Sequence, residues 1–350
     1  MRVAVLGCGA MGTILGAFLA KNGCNVEMID SYEAHVKAMN ESGIHVIGTQ
    51  EFTVPVKAVT PEQMQGIYDI VFLLTKQTAN GVVLPNLLPH LSENSTVCTL
   101  QNGVPEPYVA QHVGKERAVG GTVLWGATFI GPGISELTQD VSNLETFFEI
   151  GEIDGTITDR IKTVAEVLGL MGHAEVVDCL MSFRWGKLVN NACMSGMSAA
   201  CNLTFGQVLE NDKARACLSY LSNEVLKCCE AQGLEMPMLA LGHKPDSLAL
   251  RDKKQFDENQ EMFIDMYQAA LTGKASMLQD LEKGRQTEVN MINGYVTAVG
   301  KECGIPTPFN DTVVKIVTGI ENKELPLSAE NVKYFEDAMF SYWPSAVSAM

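Results

Sequence analysis

Arg2-Val3-Ala4-Val5-Leu6-Gly7-Cys8-Gly9-Ala10-Met11-Gly12 decides how this chain folds, because a short apolar β-type run leads directly into glycines at positions 7, 9 and 12. A helix-period segment follows. Ile14, Leu15, Phe18 and Leu19 share one face, and Lys21-Asn22-Gly23 supplies the late cation and the glycine expected where a helix stops. A second strand-type run, Val26-Glu27-Met28-Ile29, ends in Asp30, 18 residues beyond Gly12. Strand, glycine turn, helix, strand and acid stand in the order of a dinucleotide site. Gly7 suits the tight turn, Gly9 lets backbone approach a pyrophosphate, and Gly12 lets the helix pack close to the strand while its N-terminus faces the phosphates. Gly7, Cys8, Gly9, Ala10, Met11 and Gly12 are therefore the candidate cofactor loop.

Asp30 bears on which dinucleotide is taken. A carboxylate at the end of the second strand accepts hydrogen bonds from ribose hydroxyls and repels a 2′-phosphate, whereas an NADP site usually offers an arginine there. The following residue is Ser31, which carries no positive charge. The alternative is that Asp30 only caps the next helix.

Composition bounds the rest. At 350 residues and 38.0 kDa the chain is long enough for two domains. Its 25 basic and 41 acidic residues give a net charge of −16, which argues against nucleic acid or an anionic membrane as partner. Ten cysteines without a CxxC pair, two of them adjacent at Cys228-Cys229, read as reduced core thiols of a cytoplasmic protein, and no metal site is expected. Val3 to Ala20 carries no charge, yet three glycines at dinucleotide spacing and the absence of a cleavage-like flank argue against a signal peptide or membrane span.

Further along, Asp69 to Thr75 and Thr96 to Leu100 read as buried parallel strands, and both end in polar residues, Thr75-Lys76-Gln77 and Gln101-Asn102-Gly103. In an open α/β sheet the ligand crevice lies outside the carboxyl ends of the strands, which makes Lys76 and Asn102 site candidates. A helix over Tyr32 to Met39 and strands at Ile44–Ile47 and Phe52–Val56 are expected, and the short runs Ala118–Leu124, Gly133–Leu137 and Glu145–Ile150 look like an antiparallel extension. A helix at Ile161–Met171 and a strand at Ala174–Val177 close the first half, and everything beyond about Asp178 reads as helix. The expected class is α/β: a Rossmann-type dinucleotide-binding domain over 1–178, then a mostly α-helical substrate domain over 179–350. Residues 242 to 260 read as a charged loop or surface insertion.

Within the helical half, Lys187 is the only charged residue between Arg184 and Glu210. Lys187, Asn191, Ser195 and Ser198 fall on one polar stripe of an otherwise apolar helix. A lysine so placed either snorkels from the end of a buried helix or is kept buried for proton transfer, since desolvation lowers its pKa towards neutrality. A second cluster runs from Ser276-Met277-Leu278-Gln279-Asp280 to Thr287-Glu288, where Glu288 opens a helix whose apolar face is Val289, Ile292, Val296 and Val299.

Taken together these stretches resemble the ketopantoate reductase (2-dehydropantoate 2-reductase) family, from Met1 to about Ile320. Val5 to Gly12 looks like its cofactor loop, Thr75-Lys76 and Gln101-Asn102-Gly103 like its next two sites, and Trp185-Gly186-Lys187-Leu188 with Asn191 like its catalytic helix. Ser276 to Asp280 and Thr287-Glu288, followed by Ile292-Asn293-Gly294, complete the set. The resemblance implies that Lys187 is the general acid, that Asn102, Asn191 and Ser276 contact substrate, and that Glu288 lies near the lysine and the cofactor ribose. It also implies contacts to the cofactor from Lys76, Asn102 and Ala127. The chain departs from the pattern in three ways: Ser195 stands where a second asparagine is expected and another near Phe205 is missing, Asp30-Ser31 replaces the arginine that reads the NADP phosphate, and residues 240 to 260 and 325 to 350 are extra.

The expected function is therefore NAD(P)H-dependent reduction of a 2-oxo acid to a 2-hydroxy acid. Asp30-Ser31 favours NADH, whereas NADPH is typical of the family. One alternative is an NADH-dependent D-2-hydroxyacid dehydrogenase of the mandelate type, acting on another branched or aromatic 2-oxo acid. Another is an opine-type or 3-hydroxyacid dehydrogenase, although His173 and His243 sit in no context that suggests a histidine base. A third is a non-catalytic dinucleotide sensor, against which the intact Lys187 and Glu288 argue. A small-molecule partner is expected, and a homodimer is left open.

Overall fold

The computed structural model describes residues 1–142 and 144–338. The chain divides into two compact units, Met1–Leu180 and Met181–Met350.

The first unit begins with β1 (Val3–Leu6), α1 (Ala10–Lys21), β2 (Val26–Ile29), α2 (Glu33–Ser42), β3 (Ile44–Gly48), β4 (Phe52–Val54) and β5 (Lys57–Val59). It continues with β6 (Ile70–Leu73), α3 (Asn80–Leu87), β7 (Thr96–Thr99), α4 (Glu106–Val113) and β8 (Ala118–Val123). It ends with β9 (Ala127–Gly131), β10 (Ile134–Leu137), β11 (Phe148–Gly151), α5 (Asp159–Leu168) and β12 (Ala174–Val176). The main sheet has the order β12-β11-β8-β7-β6-β1-β2-β5, and a second sheet has the order β4-β3-β10-β9. From β1 the chain steps outward to β2, then returns to place β6 on the other side of β1 and builds away from it through β7 and β8. The carboxyl ends of β1 and β6 thus flank the point where the strand order reverses, the usual position of a ligand crevice.

Helix α1 packs on β1 and β2 of the main sheet and also on β3, β4, β9 and β10 of the second sheet. Gly12 to Leu19 are all buried, which is why a helix in a water-exposed fold can lack charge over so long a stretch. Among the described residues no helix is long and apolar enough to cross a membrane.

Three expectations change in this unit. β8 pairs parallel with β7 inside the main sheet, so it extends that sheet, and antiparallel pairing is confined there to β8 with β11. Ile134–Leu137 lies in the second sheet, between β3 and β9, and two strands are missed in sequence, β9 in that sheet and β5 at the edge of the main sheet, against β2. β5 is three residues long and becomes a strand only by pairing with β2 some way back in the chain, whereas β9 forms a hairpin with β10 across the turn between Gly131 and Ile134. The cysteines are all free; Cys179 and Cys303 are exposed, so the reading as core thiols fails for those two.

The second unit holds α6 (Leu180–Leu188), α7 (Ser195–Cys201), α8 (Phe205–Glu210), α9 (Asp212–Ala231), α10 (Lys253–Tyr267), α11 (Ser276–Glu282), α12 (Asn293–Cys303) and α13 (Pro308–Glu321). Much of the expected loop at 242–260 is helix. Asp252 caps α10 through Gln255 N–H, and Phe256, Asn259, Met262, Phe263 and Tyr267 bury one face. The extra carboxyl-terminal residues up to 338 dock on this unit: Asn331 donates to the carbonyls of Ala200 and Pro326, and the ring of Phe335 is fully buried beside Phe309. Residues 339–350 of that expected tail lie outside the described residues.

Candidate active site

The glycine loop follows β1 directly. Gly7 has φ +99°, and a Cβ there would lie 2.3 Å from the Thr75 nitrogen, so the ends of β1 and β6 can meet only through glycine. At Gly12 a Cβ would come within 2.0 Å of the Gly7 carbonyl oxygen, which seats α1 against the loop. Gly9 differs from both: apart from its chain neighbours, no atom of the described residues lies within 4 Å of a Cβ built there. Gly9 is also the N-cap of α1, with no side chain satisfying the first turn. A helix N-terminus left this way presents N–H donors and a positive dipole end, which suits a pyrophosphate. The Cys8 thiol plays no reactive part, since burial and then the Asp30 charge push its pKa well above the ordinary thiol value.

Asp30 stands at the end of β2 and turns back to the loop. One carboxylate oxygen accepts the Cys8 N–H at 2.7 Å and the other accepts the Tyr32 N–H at 2.8 Å, ahead of α2. Asp30 thus braces the turn that leads into α2 and lies against the glycine loop. The lysines nearest to it in sequence are engaged away from it, Lys21 4.0 Å from the Phe52 ring centroid and Lys37 in a 3.8 Å ion pair with Glu41.

Lys76 follows β6 and is exposed, and Asn102 follows β7 and is half-buried. Between them lies a set of amides to which the sequence reading assigned no role. The Gln101 amide donates to the Thr75 carbonyl and to Asn80 Oδ1, both at 2.7 Å, and accepts from Asn80 Nδ2 at 3.1 Å, while Gln77 donates to the Asn102 carbonyl. These buried side chains fix the two strand ends that carry Lys76 and Asn102. Their signal in sequence is weak, because Gln and Asn after a strand usually mean a turn. Ala127 stands apart, opening β9 opposite Leu137 in the second sheet.

In the second unit the expected single helix is broken. Lys187 lies in the last turn of α6, Val189–Met194 is a π-helix, and Ser195 begins α7. Lys187, Asn191 and Ser195 are half-buried, whereas Ser198 is fully buried. The stripe thus ends one residue early: the wider π turn shifts the helical phase, and Ser198 instead donates to the Leu203 carbonyl at 2.6 Å. Lys187 is correspondingly half-buried and not sealed in the core. The Asn191 Nδ2 atom is itself buried and has no hydrogen-bond partner among the described residues.

Two contacts draw the other candidates towards this segment. Asn293, at the start of α12, donates to the Ala192 carbonyl inside the π turn and to Asn310 Oδ1, both at 2.9 Å. Glu288, 7% exposed, lies just before α12 as the cap of a 3-10 turn, Val289–Met291, so α12 starts later than the sequence suggested. The Ala275 N–H donates to Ser198 Oγ at 3.4 Å and sets the exposed Ser276 at the start of α11. Behind Asn310, Glu224 accepts the N–H groups of Phe309 and Asn310 and the Asn310 amide, at 2.7 to 2.9 Å, and burial pushes its pKa up to about 8. Among the described residues no cluster of His, Cys, Asp and Glu could hold a metal ion.

Comparison with known proteins bears on the family and the fold. The family described as ketopantoate reductase PanE/ApbA matches residues 3–151, and its C-terminal counterpart matches residues 180–321. A 2-dehydropantoate 2-reductase of Archaeoglobus fulgidus is 29% identical over 324 residues, covering 92% of this chain and 98% of the relative. The structure of a 2-dehydropantoate 2-reductase from Geobacter metallireducens superposes with a TM-score of 0.75 at 27% identity, covering 91% of this chain and 99% of that one. D-mandelate dehydrogenase with NADH and anilino(oxo)acetate shares the fold, with a TM-score of 0.77 at 22% identity, covering 92% and 99% of the two chains.

Proposed function

The chain belongs to the ketopantoate reductase family and is an NAD(P)-dependent oxidoreductase that reduces a 2-oxo acid to a 2-hydroxy acid; from that premise we propose that Lys187 is its proton donor and that NADH is its preferred cofactor. The observation that carries the first part is the pairing, on one half-buried face of α6 and the π turn, of the sole charge in a long apolar stretch with the partnerless Asn191 amide. A buried amide N–H without a partner costs free energy, and a substrate carboxylate or hydroxyl would offset that cost.

The open space at Gly9 and the uncapped start of α1 fit a dinucleotide pyrophosphate, and Asp30 fits its adenosine ribose. When bound, the nicotinamide supplies the hydride that reduces the ketone carbon. Lys187 donates a proton to the ketone oxygen as negative charge develops on it, and Glu288 orients the ammonium. Asn191, Ser195 and Ser276 grip the carboxylate and any substrate hydroxyl. Ser195, shorter than the asparagine of the family pattern, leaves room for a side chain other than that of ketopantoate, and a branched or aromatic 2-oxo acid of the mandelate type is the second reading. Turnover of a panel of 2-oxo acids by wild type and Lys187→Ala, with NADH and with NADPH, tests this. Comparable turnover by the variant would overturn the role given to Lys187.

A further inference from the structure

Cys8 is held at both its backbone N–H and its carbonyl, by Asp30 and Thr13, and the hold from Thr13 is backed by a buried histidine outside the loop. His35, in α2, is 1% exposed. Its Nδ1 accepts the Gly133 N–H at 2.8 Å, from the turn between β9 and β10. A nitrogen that accepts carries no proton, so the neutral ring bears its hydrogen on Nε2, 3.1 Å from Thr13 Oγ1. The Thr13 hydroxyl, receiving that bond, donates its own hydrogen to the Cys8 carbonyl at 2.7 Å. The result is a one-way chain from Gly133 through His35 and Thr13 to the loop.

Its consequence follows from peptide planarity. In the trans peptide joining Cys8 to Gly9, the Gly9 N–H points opposite to the Cys8 carbonyl. Thr13 draws that carbonyl into the protein, so the Gly9 N–H is turned outward, on the residue whose Cβ position is open. We propose that Thr13 and His35 are positioning residues that hold the glycine loop in the orientation in which its Gly9 N–H meets the pyrophosphate of the dinucleotide. This rests on the reading of that loop as the cofactor site.

Protonation of His35 would place a hydrogen on Nδ1 facing the Gly133 N–H and break the chain at its origin. Burial lowers the imidazole pKa, while the Asp30 charge and the Cys8 carbonyl oppose that shift. The other groups against the ring are the Thr13 hydroxyl, the Gly133 N–H and the edge-on ring of Phe129, none of which titrates in this range. The chain is therefore intact at neutral pH and opens only below the ordinary histidine range, about pH 6.5.

The test is direct binding of NADH and NADPH, by calorimetry or nicotinamide fluorescence, without substrate. Thr13→Val should weaken binding about tenfold or more, and Thr13→Ser, which keeps the hydroxyl, should restore it to within about threefold. His35→Gln, whose amide can still donate to Thr13, should bind well at pH 7.5 and be less sensitive than wild type to acidification below the ordinary histidine range, about pH 6.5. Thermal melting of each variant shows that it is folded. If wild type binds neither dinucleotide, the reading of the loop is wrong. If wild type binds and folded Thr13→Val binds equally well, or Thr13→Ser fails to rescue, the positioning role is wrong.

Discussion

The backbone N–H of Cys8 donates to the Asp30 carboxylate at 2.7 Å, which ties the glycine loop after β1 to the end of β2. The acid and the loop are therefore tied together. A carboxylate so held has its direction set before any ligand arrives, which lowers the ordering cost of binding. It also means that a change at Asp30 disturbs the loop as well as the charge.

Gly9 and Gly12 should separate cleanly by experiment. Gly12→Ala drives a methyl into the Gly7 carbonyl at 2.0 Å and should destabilise the protein by several kcal/mol, an overpacking against backbone that cannot give. Gly9→Ala meets no atom of the described residues apart from its chain neighbours, so its melting temperature should stay within about 3 °C of wild type, while dinucleotide affinity falls at least about tenfold. Melting curves and cofactor titration on both variants decide this; a Gly9→Ala protein with unchanged affinity would place the pyrophosphate elsewhere.

Lys187→Ala should lower kcat by about a hundredfold or more, the low end for a general acid, with dinucleotide affinity little changed because a proton donor acts on the reacting oxygen and not on cofactor binding. Glu288→Ala should act in the same direction. Steady-state kinetics beside cofactor titration separate the two effects, and a fall confined to affinity would contradict the assignment.

Much of this was legible because it is written locally. The β1-loop-α1 stretch, Asp30, and the apolar face Val289, Ile292, Val296 and Val299 each announce themselves within a few residues, and all four of those apolar residues are buried. What escaped depends on partners far along the chain. The π turn at Val189–Met194 has no composition of its own, and one of its carbonyls, that of Ala192, is met by Asn293 a hundred residues later. Lys57-Ala58-Val59 is too short to read as a strand and becomes one by pairing with β2. His35 looks like a surface-helix residue until the second sheet folds over it.

Glu224 should make stability pH-dependent. Burial raises its pKa in the folded protein to about 8 from an unfolded value near 4.5, so the folded state holds the proton more tightly. The associated stability is present in full below pH 4.5 and is lost as pH rises through 8. Relative to Glu224→Gln, which does not titrate, wild type should lose a few kcal/mol of unfolding free energy between about pH 5 and pH 9. Urea titrations of both proteins across that range provide the check, and parallel curves would mean that the three donors from Phe309 and Asn310 keep Glu224 ionised throughout.

Cofactor choice turns on the same acid that braces the loop. A 2′-phosphate near Asp30 meets like charge, Ser31 offers only a hydroxyl, and Lys21 and Lys37 are engaged with Phe52 and Glu41. NADH should therefore be used at least about tenfold more efficiently than NADPH, compared as kcat/KM on one accepted 2-oxo acid. Asp30→Ala with Ser31→Arg should move that ratio towards NADPH. Because the alanine also removes the acceptor for Cys8 N–H, affinity for both dinucleotides should drop together. The ratio is thus the informative quantity, and the common loss measures the tether. A double variant with lower affinity for both cofactors and an unchanged ratio would show that Asp30 serves the loop alone and that the ribose is read by another residue.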